Sequence, residues 1–175
     1  MSRFRIVHSV GHVTQPSAND CWAAASSMAR GRVRGRYLTV WDVKQMASRN
    51  RVRLDRNGSL PRGNIANTRL LATALGLRVT DVRTTPLSQW MALIRRLMGA
   101  GPMVILGGFN YPNGRQATNH AITAYRFYGD TTPSGTTISF VDPYSGRAHN
   151  MTWDEFAGIV HEDCFLADPD FILSR

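Results

Sequence analysis

Helical patterns occupy the first part of this chain and strand patterns the second. Residues 21–28 are rich in alanine, which is the best helix former. Residues 39–49 space their apolar side chains for one helical face, and 65–75 and 87–98 read as further helices. A continuous apolar run then follows at 103–106 and predicts a buried strand, and 120–128 and 136–142 read as further strands. This order predicts an α+β fold in which an N-terminal helical lobe packs on a C-terminal antiparallel β-sheet.

Shorter elements and two loops complete the expected organisation. A basic stretch at 30–36 is interrupted by two glycines and predicts a loop, as does the polar stretch at 50–63 with its Asn57-Gly58 turn signal. The remaining predicted elements are strands at 4–7, 77–82 and 171–173 and a helix at 153–160. The length of 175 residues suits one domain, 1–175, with the helical lobe over about 16–100 and the sheet lobe over about 101–175.

Composition excludes several classes of protein. A hydrophobic fraction of 43% is too high for a disordered chain. The two cysteines, Cys21 and Cys164, are too few for a disulfide scaffold, and neither belongs to a CxxC zinc motif. No apolar run is long enough to predict a transmembrane helix, and the N-terminus lacks the apolar region of a Sec-type signal peptide.

Charge is distributed unevenly along the chain. The formal net charge is +9, but residues 1–100 carry a balance of +13 and residues 101–175 a balance of −4. Lys44 is the only lysine, so the basic character is almost entirely that of arginine. The asymmetry is typical of a protein with an acidic partner, which includes nucleic acid and an acidic inhibitor. A solvated face in an arginine-rich chain explains it equally well.

Cys21 is the first candidate for chemistry because it stands at the predicted start of a helix, which Asn19 or Asp20 can cap. Unsatisfied backbone N–H groups and the helix dipole at that position favour a thiolate and lower the thiol pKa. The alternative is that Cys21 is a small buried apolar residue.

Three further residues combine with this cysteine into a catalytic pattern. Gln15 offers an uncharged amide donor suited to an oxyanion hole. His120 begins one predicted strand and Asp142 ends the next, so a hairpin brings them together. Asp142 can then fix the tautomer of a His120 that serves as general base to Cys21. Each residue alone is also compatible with a surface or turn position.

The pattern resembles the papain-like cysteine peptidase superfamily. The resemblance lies in Gln15-Pro-Ser-Ala-Asn-Asp-Cys21-Trp22, in Asn119-His120-Ala121 and in Val141-Asp142-Pro143-Tyr144. It is strongest to compact bacterial branches: staphopain-like enzymes, effector proteases and double-glycine peptidases. Gly101-Pro102 and Trp153 to Phe156 also agree with these branches, whereas residues 30–62 match no part of the pattern.

The resemblance implies a papain-like fold with the active site in a cleft between the two lobes. It implies Cys21 as nucleophile, His120 as general base and acid, Asp142 as the orienting residue and Gln15 in the oxyanion hole. No metal or organic cofactor is expected. Asn19-Asp20 differs from the glycine-containing run of papain before the cysteine, and Asp142 stands where papain has asparagine, as is normal for the bacterial branches.

The resemblance also implies a biological setting. We expect an effector or toxin that leaves the producing cell by a specialised secretion system and cleaves a protein in the cytoplasm of a target cell. Small residues of the Gly-Gly kind are the expected cleavage site. A cognate inhibitor or immunity protein is expected, and the basic half favours an acidic one. The protein is expected to be a monomer without membrane contact.

Two other functions remain open from the sequence. A cysteine amidase or acyltransferase acting on cell-wall or other non-protein substrates would use the same four residues. A non-catalytic nucleic-acid-binding domain would use the arginines, and those at 30, 32, 34 and 36 alternate so that they share one face of an extended segment. That face lacks the aromatic residues of a base-stacking platform, so direct nucleic-acid contact is not predicted.

The remaining histidines and Cys164 receive weaker interpretations. His8 and His12 are expected at the surface, and His149 in a solvated polar turn. Residues 161–164, His-Glu-Asp-Cys, are too close together in sequence to converge on one metal ion. Cys164 is expected to be structural, with a His161–Cys164 pair as a second candidate nucleophile site.

Overall fold

The computed structural model describes residues 3–33, 36–111, 116–160 and 169–175. The helices in these residues are α1 (Cys21–Arg30), α2 (Val40–Arg49), α3 (Ile65–Leu75), α4 (Leu87–Met98) and α5 (Trp153–Val160). The strands are β1 (Phe4–Val7), β2 (Arg32–Val33), β3 (Arg36–Tyr37), β4 (Arg78–Asp81), β5 (Met103–Asn110), β6 (Gln116–Gly129), β7 (Thr136–Asp142), β8 (Arg147–Thr152) and β9 (Pro169–Ser174).

Seven of these strands form one antiparallel sheet in the order β4-β9-β5-β6-β7-β8, with β1 paired to β6. Strand β6 is long enough, at 14 residues, to pair with β5 along its first part and with β1 along its end. The sheet therefore takes β1 and β4 from the N-terminal part of the chain and the rest from the C-terminal part.

Helices cover both faces of this sheet because its strand residues alternate between two apolar cores. Val104 and Leu106 of β5 join a core built with α1, α2 and α3. Met103 and Ile105, which point to the opposite face, join a core built with α4 and α5. The predicted α+β class is confirmed, although α4 packs on the face opposite the other N-terminal helices.

Local capping explains why most helix boundaries agree with the sequence. Thr39 and Asp42 form a reciprocal capping box at the start of α2. Gly76 ends α3 in the left-handed conformation, which glycine adopts without steric cost. At the start of α1, Asp20 occupies the N-cap position but its side chain makes no capping hydrogen bond. Its carboxylate pairs with Lys44 Nζ at 2.7 Å instead, so the expected capping role is wrong.

Two local predictions also differ from the structure. The 30–36 stretch was expected to be a loop, but α1 extends to Arg30, and β2 and β3 pair as a small separate hairpin. Residues 147–152, expected to contain a polar turn, form the edge strand β8. An edge strand pairs on one side only and tolerates polar residues, which is why its sequence resembles a turn. The position of Arg34 lies outside the described residues.

Candidate active site

Cys21 is the first residue of α1, and the sheet fixes where that helix begins. Nine consecutive residues of α1, from Cys21 to Ala29, are buried. Thr123 of β6 donates a hydrogen bond to the main-chain carbonyl of Ala25 at 2.9 Å, which ties the helix to the strand that also carries His120. The small alanine side chains of α1 allow this close approach.

The Cys21 thiol is buried, and burial raises its pKa from 9.0 to about 11. Desolvation disfavours the thiolate more than the main-chain N–H groups of Trp22 and Ala121 stabilise it. The Sγ atom lies 4.0 Å from the carbonyl oxygen of Asn119, to which the thiol can donate. The expectation of a lowered thiol pKa is therefore wrong for this structure, because burial outweighs the helix N-terminus.

His120 and Asp142 meet on neighbouring strands. His120 Nε2 lies 2.7 Å from Asp142 Oδ1, and both side chains are almost fully buried. Phe109 packs edge-on against the imidazole at 5.9 Å between ring centroids. His120 lies inside β6 rather than at the beginning of a strand, because β6 starts earlier, at Gln116. The pairing with Asp142 forms as the sequence predicts.

The surroundings of Asp142 keep its carboxylate ionised. Burial alone would raise the pKa of Asp142, but the hydrogen bond and charge of His120 lower it to about 2. The main-chain N–H of Tyr144 also donates to Oδ1, at 2.9 Å. An ionised Asp142 accepts the Nε2–H of His120 and so favours the tautomer whose Nδ1 is unprotonated.

Cys21 and His120 line one cavity of about 20 Å³. That volume holds one water molecule but no amino-acid side chain. One side of the cavity is formed by residues from the loop before α3, and the opposite side by β5, β6 and β9. We call residues 57–63 of this loop the crossing segment, because its polar contacts reach both sides.

The main chain of Gln15 contacts the residue that follows Asp142, but Gln15 does not line the cavity. Its main-chain N–H donates to the carbonyl of Pro143 at 2.7 Å, and its side-chain amide donates to the carbonyl of Ser17 at 2.9 Å. Gln15 is not among the residues that line the cavity with Cys21. The structure thus brings together Cys21, His120 and Asp142, and the role of Gln15 stays a prediction.

The other histidines lie apart from this cavity. His8 Nε2 contacts the carbonyl oxygen of Met98 at 2.6 Å, and the exposed His12 ring packs near Tyr125. His149, expected to be solvated, is half-buried in β8 and stacks on Phe140 at 5.1 Å between centroids. That expectation fails because the residue belongs to a strand. The His161 to Cys164 stretch lies outside the described residues.

Sequence reasoning missed two side chains of the cavity. Asp170 and Arg62 line it and form an ion pair. Neither has a local signal, because Asp170 precedes a short apolar run and Arg62 is one of many arginines. The pairing of β9 with β5 brings Asp170 to the site, and Arg62 is held there by its ion pair with Asp170.

An α+β fold in which a helix-terminal cysteine shares a cavity with a hydrogen-bonded histidine–aspartate pair is that of a papain-like cysteine protease. A family described as papain-like cysteine protease AvrRpt2 matches residues 6–160. The chain therefore belongs to this family, and its predicted membership in the papain-like superfamily is confirmed.

Solved structures support the same fold. UfSP from C. elegans is similar with a TM-score of 0.53 and 13% sequence identity, over 97% of this chain and 33% of that one. The present chain thus spans about a third of the length of UfSP, and at this identity the likeness shows the fold alone. A search among curated proteins found no match. In the described part of the chain, no helix has the length and hydropathy needed to cross a membrane.

Proposed function

We propose that Cys21, His120 and Asp142 are the catalytic triad of this cysteine peptidase and that it cleaves peptide bonds in a protein. The observation that carries the proposal is the 2.7 Å contact between His120 Nε2 and Asp142 Oδ1 beside a cavity that Cys21 also lines. Such a pair can hold an imidazole ready to exchange a proton with a neighbouring nucleophile.

The proposed reaction begins with proton transfer from the Cys21 thiol to His120. Because Asp142 holds Nε2, Nδ1 is the ring nitrogen that accepts this proton. Sγ then bonds to the carbonyl carbon of the substrate, whose oxygen takes up the displaced electron pair. His120 protonates the amine nitrogen as the C–N bond breaks. Water, deprotonated by His120, then attacks the acyl-enzyme and restores the free thiol.

The resting thiol is protonated at neutral pH because its pKa is about 11. Proton transfer to His120 is therefore expected after the substrate has bound and before Sγ attacks. Desolvation of Sγ is the main cause of the raised pKa of the thiol. A substrate that opens the cavity changes this desolvation and therefore the thiol pKa.

The oxyanion is proposed to receive hydrogen bonds from the main-chain N–H of Cys21 and from the Gln15 side chain. The Cys21 N–H lies at the start of α1, where main-chain donors have no partner within the helix. One N–H of the Gln15 amide donates to the carbonyl of Ser17, so the second N–H is the one proposed for this role.

The test is a comparison of new protein N-termini, detected by mass spectrometry, after a cytosolic protein extract is treated with each variant. Cys21→Ala should abolish every cleavage while its thermal unfolding stays close to that of the wild type. Cys164→Ala is the matched control and should retain cleavage. Gln15→Ala should lower kcat about 100-fold. Activity that survives Cys21→Ala but not Cys164→Ala would show that Cys164 is the nucleophile. The cleavage sites also test the proposed preference for small residues.

We also propose that the protein is an effector or toxin, delivered by a specialised secretion system to the cytoplasm of a target cell. An acidic immunity protein would protect the producing cell, and the +13 balance of residues 1–100 supports this choice of partner. Binding of such a partner to Cys21→Ala protein should weaken steeply as salt rises. Binding that is insensitive to salt would contradict the electrostatic part of the proposal.

A further inference from the structure

Asp170 is a buried acidic residue in the wall of the active-site cavity. It lies in β9, is only 8% exposed, and lines the cavity together with Cys21 and His120. The proposed cysteine–histidine chemistry does not use it. A buried carboxylate is costly unless a cation or several donors compensate its charge. The group that compensates the negative charge of Asp170 therefore indicates which kind of side chain this part of the cavity can bind.

That group belongs to an arginine from the crossing segment. Arg62 Nε contacts Asp170 Oδ2 at 3.1 Å, and the main-chain N–H of Gly63 donates to the same oxygen at 3.2 Å. Arg62 Nη1 also donates to the carbonyl of Thr118 at 2.8 Å, two residues before His120. The guanidinium thus lies across the wall of the cavity, between β6 and β9.

Two main-chain carbonyl groups of the crossing segment accept hydrogen bonds from side chains that flank the proposed reacting residues. Trp22 Nε1 donates to the carbonyl of Gly58 at 3.2 Å, and Asn119 Nδ2 donates to the carbonyl of Leu60 at 3.0 Å. Trp22 directly follows Cys21, and Asn119 directly precedes His120. Side-chain donors next to both reacting residues therefore bind carbonyl groups of this chain itself.

The cavity beside Cys21 is narrow, with a volume of about 20 Å³. We therefore expect a bound peptide to displace part of the crossing segment. Displacing Arg62 leaves the Asp170 carboxylate in the cleft without its ion pair. A basic side chain on the substrate would restore a charge-assisted hydrogen bond at that oxygen, whereas a neutral or acidic one would not.

We propose that Asp170 determines specificity by accepting an arginine or lysine side chain of the substrate at the position that Arg62 occupies here. This inference rests on the proposed peptidase function and adds a chemical class of substrate to it. Arg62 then acts as an internal occupant that competes with the basic residue of the substrate.

The test is cleavage of a peptide library derived from a whole proteome, with the sites identified by mass spectrometry. The wild type should enrich arginine and lysine about tenfold at one fixed position relative to the cleaved bond. Asp170→Asn should lose this enrichment while still cleaving peptides that are neutral at that position. Arg62→Gln should keep the enrichment and lower KM for basic peptides. Arg36→Gln is the matched control, because Arg36 pairs with Asp42 at the start of α2 and does not line the cavity, and it should change neither quantity.

Each other result overturns one identifiable part of the inference. Cleavage by the wild type without basic enrichment, or equal loss of all cleavage in Asp170→Asn, would make Asp170 an anchor of the crossing segment only. If Asp170→Asn fails to fold, the wild-type enrichment and the KM of Arg62→Gln decide the question. An absence of any cleavage that depends on Cys21 would instead refute the proposed peptidase function.

Discussion

The two sides of the active-site cavity are held in place in different ways. His120 and Asp142 lie on β6 and β7, which pair antiparallel from Thr123 to Gly129 with one shift of register between Ala124 and Arg126. The crossing segment has no helix or strand, and separate hydrogen bonds from Asn19, Trp22 and Asn119 attach it to its surroundings.

Because of this difference, the arrangement of the proposed catalytic residues and the access of a substrate to them depend on different parts of the structure. The ladder bonds of a central sheet break cooperatively and close to the free energy of global unfolding, whereas isolated side-chain bonds on a loop can open one at a time. We expect the histidine–aspartate pair to keep its arrangement when the crossing segment opens. The sheet would then supply a fixed catalytic geometry, and the loop would decide when a peptide enters.

The largest expected effect concerns the sheet side. His120→Ala should lower kcat by about 1,000-fold or more, because it removes the proposed general base and acid. Peptide cleavage followed by mass spectrometry measures the loss. His12→Ala is the matched control, since its exposed ring lies against Tyr125 and away from the cavity. Comparable losses in both variants would indicate damage to the fold rather than to a reacting group.

The second prediction concerns the burial of the Cys21 thiol by the crossing segment. The pH dependence of stability tests it. The folded state holds the Cys21 proton up to about pH 11, whereas the model thiol loses it near 9.0. Between these values the unfolded state binds fewer protons, so the free energy of unfolding should fall as pH rises. The fall amounts to about 1.4 kcal/mol for each pH unit in this window.

Denaturant unfolding of the wild type and of Cys21→Ala, at pH 8 and pH 10, measures this contribution. The difference in stability between the two proteins should shrink or reverse at the higher pH by about 1 kcal/mol. Cys164 is present in both proteins, so its titration cancels. An equal pH dependence in the two would show that the Cys21 thiol is not held protonated by burial.

The sequence predicted those parts of the fold that depend on local signals. Helices α3, α4 and α5 begin and end where their apolar spacing and terminal residues indicate, as at Gly76. The approach of His120 to Asp142 follows from two strands joined by a hairpin, which is also a local relation. Strand β8 was missed because an edge strand with polar residues carries little periodic signal.

The features that sequence could not supply are contacts between distant segments. The raised pKa of Cys21 depends on which residues cover it, and Ser59 to Gly63 lie some 40 positions further along the chain. The pairing of Arg62 with Asp170 joins residues 108 positions apart. No periodicity or spacing encodes such a pair, because many arginines in this chain are equally available.

The smallest expected effect concerns the crossing segment itself. Asn19 Nδ2 donates to the carbonyl of Asn57 at 2.7 Å, and Ser59 Oγ donates to Asn19 Oδ1 at 3.2 Å. Asn19→Ala removes both bonds, which together contribute about 1 kcal/mol at a partly exposed site. The open form should then become about fivefold more populated, since a loss of about 1 kcal/mol changes an equilibrium by that factor.

Alkylation of Cys21 by iodoacetamide at pH 8 measures this population, because the reagent reaches Sγ only after the segment opens. Asn19→Ala should react about fivefold faster than the wild type. Asn50→Ala is the matched control: its amide donates to the carbonyl of Met46 at the end of α2, so alkylation should be unchanged. If Asn19→Ala reacts no faster than the wild type, the segment is held closed by its contacts with Asn119 of β6 and Asp170 of β9. Loss of the Arg62–Asp170 pair would then be the step that admits a substrate.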